Sequence, residues 1–101
     1  MCKYTDVVNF IKSNAKGFHN CMTGVEIGSA LHINEVQVRK FVNVARSNNI
    51  PICSNNYGYF YSESRDDIMS TVSHLKSRIA KVENAIDGML DYIIDSEVKH
   101  D

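Results

Sequence analysis

The chain has 101 residues, 44% of them hydrophobic and 23% charged, which allows one domain with at most one appended element and excludes a disordered or low-complexity protein. No stretch approaches the roughly 18–20 apolar residues of a membrane span, so we expect no membrane contact. The net charge of −1 combines +3 over residues 1–65 (seven bases, four acids) with −4 over residues 66–101 (four bases, eight acids). A mildly basic front part suits an anionic partner, and the acidic back part indicates a different role.

The cellular compartment is indicated by the cysteines and by the first residues. Cys2, Cys21 and Cys53 form an odd set with no close pair, so we expect no disulfide framework. The first residues lack the long apolar run of a secretion signal. We therefore expect a cytoplasmic protein with reduced thiols.

The first predicted element is a helix that Thr5 can cap. Four apolar residues follow at helical spacing on one face: Val7, Val8, Ile11 and Ala15. Lys16-Gly17 marks its end, because glycine is common just after the last helical turn.

Two capping boxes come next and predict two consecutive helices. They are Thr23-Gly24-Val25-Glu26 and Asn34-Glu35-Val36-Gln37, each with a cap residue and a reciprocal partner three positions later. The first of these helices ends near Leu31 and the second near Ser47, with only His32-Ile33 between them. So short a connection predicts a helix-turn-helix.

The second of these helices has an expected core side and an expected outer side. Val38, Val42 and Ala45 can pack on Ile27 and Leu31 of the preceding helix. The remaining side chains include donors and acceptors suited to base edges and phosphates. Candidate DNA contacts in the motif are Thr23, Glu35, Val36, Gln37, Arg39, Lys40, Asn43 and Arg46.

A β-hairpin is predicted after the helices. Two runs rich in β-branched and aromatic residues, 50–54 and 59–62, flank an Asn/Gly-rich turn. Pro51 confines its strand to an edge or a strand start. Alternation places Ile50, Ile52, Tyr59 and Tyr61 on one face. The tip residues Asn55, Asn56 and Tyr57 are candidates for contact with phosphate or the minor groove, and a solvated turn is equally open.

From Ser64 the pattern predicts one long helix with an apolar heptad seam. The seam, which we expect to hold two copies together, comprises Ile68, Val72, Leu75, Ile79, Val82, Ile86, Met89 and Ile93. β-Branched residues fill every a position, which favours two parallel strands, and Arg78 at g would face Glu83 at e of the partner. Extra apolar residues beside the seam leave a bundle, or packing on the chain's own domain, open as alternatives.

The segment Met22–Tyr61 resembles the winged helix-turn-helix of the biotin-operon-repressor type. The resemblance is carried by Thr23, Ile27, Leu31-His32-Ile33-Asn34, Val36-Gln37-Val38-Arg39, Val42, Ala45-Arg46, Ile50-Pro51-Ile52 and Tyr57-Gly58-Tyr59-Phe60-Tyr61. More narrowly, the chain looks like small phage- or prophage-borne winged-helix proteins, in which an acid-started helix with a Leu-x-Ser-Arg segment follows the wing (here Leu75-Lys76-Ser77-Arg78).

The chain departs from this family pattern at three positions. His32 and Asn49 stand where the family has glycine, and both residue types tolerate positive φ. Glu35 opens the second helix of the motif where the family has a neutral polar residue or a base.

Pattern and resemblance together predict a mainly α fold with a small hairpin. We expect a winged helix-turn-helix domain over residues 1–63 and a dimerisation helix over residues 64–101. The helix-turn-helix spacing and the heptad seam together predict a homodimer that binds double-stranded DNA, with helix 34–48 in the major groove. The resemblance implies a phage or prophage transcriptional regulator or replication accessory factor.

Two other classes of protein compete with this interpretation. An enzyme is disfavoured, because His19 and Cys21 alone lack the ligand spacing of a zinc site and no phosphate loop or nucleophile pattern is present. We expect neither cofactor nor metal. A winged-helix interaction or scaffold module without DNA binding is the alternative function, favoured by Glu35 and the near-neutral net charge.

Overall fold

The computed structural model describes residues 2–98. Its elements are α1 (Tyr4–Asn14), a short 3-10 turn (Phe18–Asn20), α2 (Gly24–Leu31), α3 (Glu35–Ser47), β1 (Ile52–Asn55), β2 (Gly58–Tyr61) and α4 (Arg65–Val98). Three helices, an antiparallel hairpin and a long final helix confirm the predicted fold class, a winged helix-turn-helix followed by a long helix. No helix in this part of the chain has the length and apolarity to cross a membrane.

The first helix begins two residues earlier than predicted, at Tyr4. Lys3, not Thr5, is the N-cap residue, because the carboxylate of Asp6 accepts a hydrogen bond from the Lys3 backbone N–H at 2.8 Å. A reciprocal backbone bond joins Asp6 N–H to the Lys3 carbonyl at 3.0 Å. Thr5 therefore lies inside the first turn.

Both predicted capping boxes are confirmed. Glu26 N–H donates to Thr23 Oγ1 and Thr23 N–H to Glu26 Oε1, each at 3.1 Å. Gln37 N–H donates to Asn34 Oδ1 at 2.8 Å, and Asn34 N–H to Gln37 Oε1 at 3.0 Å. These local bonds fix where α2 and α3 begin and so fix which side of each helix faces inward.

The turn between α2 and α3 is closed by a close backbone approach. A Cβ added to Gly28 would lie 2.5 Å from the Ile33 carbonyl oxygen, so only glycine fits there. His32 ends α2 in the left-handed conformation, with φ of 59°, and Asn49 takes φ of 65° after α3. His32 and Asn49 thus occupy the left-handed conformation that glycine favours.

The core is built from α1, α2, α3 and β1. Val38, Val42 and Ala45 of α3 meet Ile27 of α2, with Leu31 partly buried against them, as predicted. The buried members of this cluster are Val7, Val8, Ile11, Ala15, Ile27, Val38, Val42, Ala45 and Ile52.

The hairpin is fastened to the helices along β2. Its register pairs Ile52 with Tyr61 and Ser54 with Tyr59. On the other side of β2, Tyr59 exchanges two backbone hydrogen bonds with Met22, at 2.7 and 2.9 Å. Tyr61 N–H also donates to the Ala15 carbonyl at 2.8 Å. β2 therefore pairs with β1 along one edge and bonds to Met22 and Ala15 along the other, which holds the wing in place.

The chain divides into two compact units, one up to Thr71 and one from Val72 onward. The predicted boundary lay at 63/64, but the first turns of α4 belong to the first unit. Thr71 is buried, and its Oγ1 accepts from Ser54 N–H of β1 at 3.1 Å. Ser62 Oγ donates to the Asp67 carboxylate at 2.6 Å. These bonds tie the start of α4 to the hairpin.

Candidate nucleic-acid interface

The outer side of α3 carries a stripe of exposed side chains. Val36, Lys40 and Asn43 recur at i, i+4 and i+7, and Arg39 lies beside them. All four are exposed. This outward placement follows from the burial of Val38 on the opposite side, since a helix with one buried stripe must present its remaining residues to solvent. The prediction that these four project away from the core is confirmed.

Two other residues that were predicted to contact DNA, Thr23 and Gln37, form part of the capping boxes of α2 and α3. The Oγ1 atom of Thr23 accepts from Glu26 N–H, and the Oε1 atom of Gln37 accepts from Asn34 N–H. Both residues are exposed, so they lie on the surface, but the acceptor atoms of their side chains already serve the helix ends. Their established role is to hold α2 and α3 in place.

Arg46 joins α3 to the hairpin. Its Nε donates to the Ile52 carbonyl at 2.8 Å, and Nη2 donates to Ser54 Oγ at 3.1 Å. The guanidinium carbon also lies 6.0 Å from the centre of the Tyr59 ring, within reach of a cation–π contact. Arg46 was predicted as a DNA contact from its position on α3. The structure gives its guanidinium a bracing role between helix and wing.

The tip of the wing has one structural and two outward residues. Asn55 Oδ1 accepts from Tyr57 N–H at 2.7 Å and from Gly58 N–H at 3.1 Å, which closes the turn. Asn56 is exposed, and the Tyr57 side chain is 77% exposed. Of the three predicted tip contacts, Asn56 and Tyr57 are therefore placed to reach a ligand, and Asn55 shapes the loop that carries them.

Glu35 adds a negative charge to this surface. It is exposed at the first residue of α3, and its Cγ lies 3.0 Å from the position of a Cβ added to Gly24. The side chain therefore lies against the first turn of α2, where a carboxylate is favoured by the helix dipole. The same charge opposes a phosphate that approaches this corner.

Sequence reasoning overlooked several exposed apolar residues of the first unit. Val25 on α2 and Val44 on α3 are 59% and 43% exposed. Phe18 is also exposed, and its ring centre lies 3.9 Å from that of His19. The signal available in the sequence was that Val25 and Val44 fall outside the spacing of the core positions.

The three thiols of the chain, Cys2, Cys21 and Cys53, differ in their surroundings. Cys53 is buried, and burial raises the pKa of its thiol above the ordinary value, which disfavours the nucleophilic thiolate. No cluster of three or more potential metal ligands occurs between residues 2 and 98. A cavity of about 220 Å³ lies under the hairpin, lined by Phe18, Ser54, Asn55, Phe60, Asp67 and Ser70. Its one carboxylate, on Asp67, accepts from Ser62.

Comparison of the chain with protein-family models, with curated proteins and with solved structures found no match.

Proposed function

We propose that the protein binds double-stranded DNA as a winged-helix protein, with α3 in the major groove and the wing tip against the backbone. The observation that carries this proposal is the exposed stripe of Val36, Lys40 and Asn43 with Arg39 beside it. A helix of this kind, next to a hairpin fixed in place, has the dimensions that a major groove admits. A phage or prophage transcriptional regulator or replication accessory factor is the biological role that the family resemblance implies.

The chemistry of the stripe suits base edges and phosphates. An asparagine amide pairs with adenine, arginine and lysine pair with guanine or with phosphate, and an apolar side chain contacts the thymine methyl group. Asn43, Arg39, Lys40 and Val36 supply these groups in turn. Tyr57 and Asn56 on the wing tip can donate to phosphate oxygens.

The charge of the front part limits the strength of binding. Residues 1–65 carry seven bases and four acids, a net charge of +3. Only a few phosphates can be neutralised at once, so we expect weak binding by a single copy and a shallow dependence on salt. Removal of one phosphate-binding side chain should reduce the salt slope by about one.

The test is titration of fluorescent random-sequence duplex DNA with wild-type protein and with Arg39→Ala/Lys40→Ala. We expect wild-type binding that weakens with salt and loss of binding in the double variant. Lys76→Ala/Lys81→Ala is the matched control, because it removes the same charge from exposed positions of α4. Equal loss of binding in both variants would show a general charge effect and would contradict a role for α3.

A scaffold or protein-interaction module without DNA binding is the second candidate. Glu35 favours it, since a carboxylate on the candidate surface opposes phosphate. Under this alternative the wild-type protein does not bind duplex DNA even at low salt. A random duplex pool selected for bound fragments would then yield no enriched sequence.

A further inference from the structure

The second unit of the protein presents a broad apolar surface along α4. Large apolar side chains here are each more than half exposed: Ile79, Val82, Ile86, Met89, Leu90, Tyr92, Ile93 and Ile94. An exposed apolar surface of this extent is typical of an interaction site. We name seven of these residues, all except Ile94, the α4 face.

The α4 face follows a regular repeat. Ile79, Val82, Ile86, Met89 and Ile93 are separated by alternating steps of three and four residues, which places them in one line of a supercoiled helix. Leu90 and Tyr92 flank this line. Directly opposite the line, the f positions over 72–93 are polar: Ser77, Asn84 and Asp91.

We propose that the α4 face binds the same face of a second copy of this chain, as a parallel two-stranded coiled coil over 72–93. About 22 residues at 1.5 Å each give a seam of roughly 33 Å. Of the predicted seam residues, Val72 and Leu75 at its start are half-buried, and Ile68 is half-buried within the first unit.

A second copy fits the face because the pattern is self-complementary. Every a position holds a β-branched residue (Val72, Ile79, Ile86 and Ile93), and this favours two parallel strands. In that register Arg78 meets Glu83 of the partner subunit, and the symmetric contact repeats the attraction. The same register places the large Leu90 opposite the small Ala85 of the partner subunit, which fills the flank of the seam without a clash.

Pairing of α4 does not depend on DNA binding by α3, so an experiment can contradict one proposal and leave the other intact. A dimer with no affinity for DNA would contradict only the proposed function. A monomer that binds DNA would contradict only the pairing. If both hold, two copies of the α3 surface act together, which doubles the number of bonds to DNA and demands a two-part DNA site.

The oligomeric state of the full-length chain tests the pairing by sedimentation equilibrium over the micromolar range. We expect a dimer for the wild type and a monomer for Ile79→Asp/Ile86→Asp. The control Ser77→Asp/Asn84→Asp adds the same charges on the opposite side and should remain a dimer. Near-ultraviolet circular dichroism checks that the first unit stays folded in all three proteins. A monomeric wild type, or monomers of both variants, overturns the proposal.

Orientation is tested by oxidation of Ile79→Cys in a chain that also carries Cys2→Ser and Cys21→Ser. In a parallel pair the two introduced thiols face each other, and we expect a covalent dimer in high yield. Asn84→Cys, on the opposite side of α4, should cross-link poorly. Absence of the covalent dimer, or a tetramer in sedimentation, overturns the parallel two-stranded arrangement.

Discussion

At the scale of single residues, the arginines of α3 have different roles. Arg46 is half-buried and donates two hydrogen bonds to β1, whereas Arg39 is exposed. A hydrogen bond from a charged donor contributes about 1.5–3 kcal/mol, and an exposed side chain away from such features contributes within about 0.5 kcal/mol. The same residue type on one helix therefore braces the fold at one position and is available for a ligand at the other.

We predict that Arg46→Ala lowers the free energy of unfolding by about 1.5–3 kcal/mol, because Ile52 and Ser54 lose their donor. Arg39→Ala should change the same quantity by less than about 0.5 kcal/mol. Urea denaturation followed by circular dichroism measures both. If the two variants unfold at the same urea concentration, the bracing role of Arg46 is wrong.

The three thiols should also differ in reactivity. Cys53 is buried, and desolvation raises the pKa of its thiol, while Cys2 and Cys21 are half-buried. A raised thiol pKa stabilises the fold below the pKa of the unfolded thiol, and this contribution is lost as pH rises through the folded value. Mildly alkaline solution therefore favours the Cys53 thiolate in the unfolded chain over the folded one.

We predict that iodoacetamide at mildly alkaline pH labels Cys2 and Cys21 of the native protein and leaves Cys53 unmodified until the chain unfolds. Intact-mass spectrometry counts the added groups, and digestion assigns them. A fully denatured sample provides the control in which all three thiols react. Native labelling of Cys53 at the rate of Cys21 would contradict its burial.

At the scale of elements, two helical glycines have opposite surroundings. A Cβ on Gly28 of α2 would meet the Ile33 carbonyl oxygen at 2.5 Å, whereas a Cβ on Gly88 of α4 meets nothing within 4 Å. Gly28 is therefore required by the tight turn of the helix-turn-helix. Gly88 only weakens its helix, because glycine costs about 1 kcal/mol relative to alanine inside a helix.

Alanine at the two positions should move stability in opposite directions. We expect Gly28→Ala to lower the free energy of unfolding by about 1–3 kcal/mol through overpacking. Gly88→Ala should raise the stability of α4 by about 0.5–1 kcal/mol. Thermal melts at one protein concentration provide the measurement. A neutral Gly28→Ala would mean that α3 can move away from α2 without loss of packing.

At the scale of the whole molecule, the two units differ in what stabilises them. The first unit has a buried core of its own. From Ile79 onward the second presents large apolar residues to solvent, and isolated helices gain little stability in water without tertiary packing. The helicity of the second unit should therefore depend on pairing between copies.

Dilution of the protein should lower the helicity of the second unit and leave the first unit folded. We predict that the helical circular dichroism signal of the wild type falls as protein concentration is lowered, since pairing follows mass action. In Ile79→Asp/Ile86→Asp the helical signal should be reduced to that of the first unit's helices and should not depend on concentration. The near-ultraviolet signal of the first unit should be unaffected in both proteins. A helical signal that does not change on dilution of a sedimentation-proven dimer would show that α4 is stable alone.

The helix-turn-helix, the hairpin and the periodic face of α4 could all be predicted from the amino-acid sequence alone. Their signals are local: Thr23 and Asn34 bond to groups three residues away, and the α4 repeat needs only neighbouring turns. The outward placement of Arg39, Lys40 and Asn43 followed from the same local register.

Which surface residues bond to other parts of the fold could not be predicted, because it depends on packing between elements. Arg46 bonds across to β1, and Thr71 bonds to Ser54, 17 residues earlier in the chain. The start of α4 joined the first unit for the same reason, and Cys53 is buried on the hairpin face that alternation had left unassigned. Such contacts depend on how folded elements pack in space, and no spacing rule within one helix or strand encodes them.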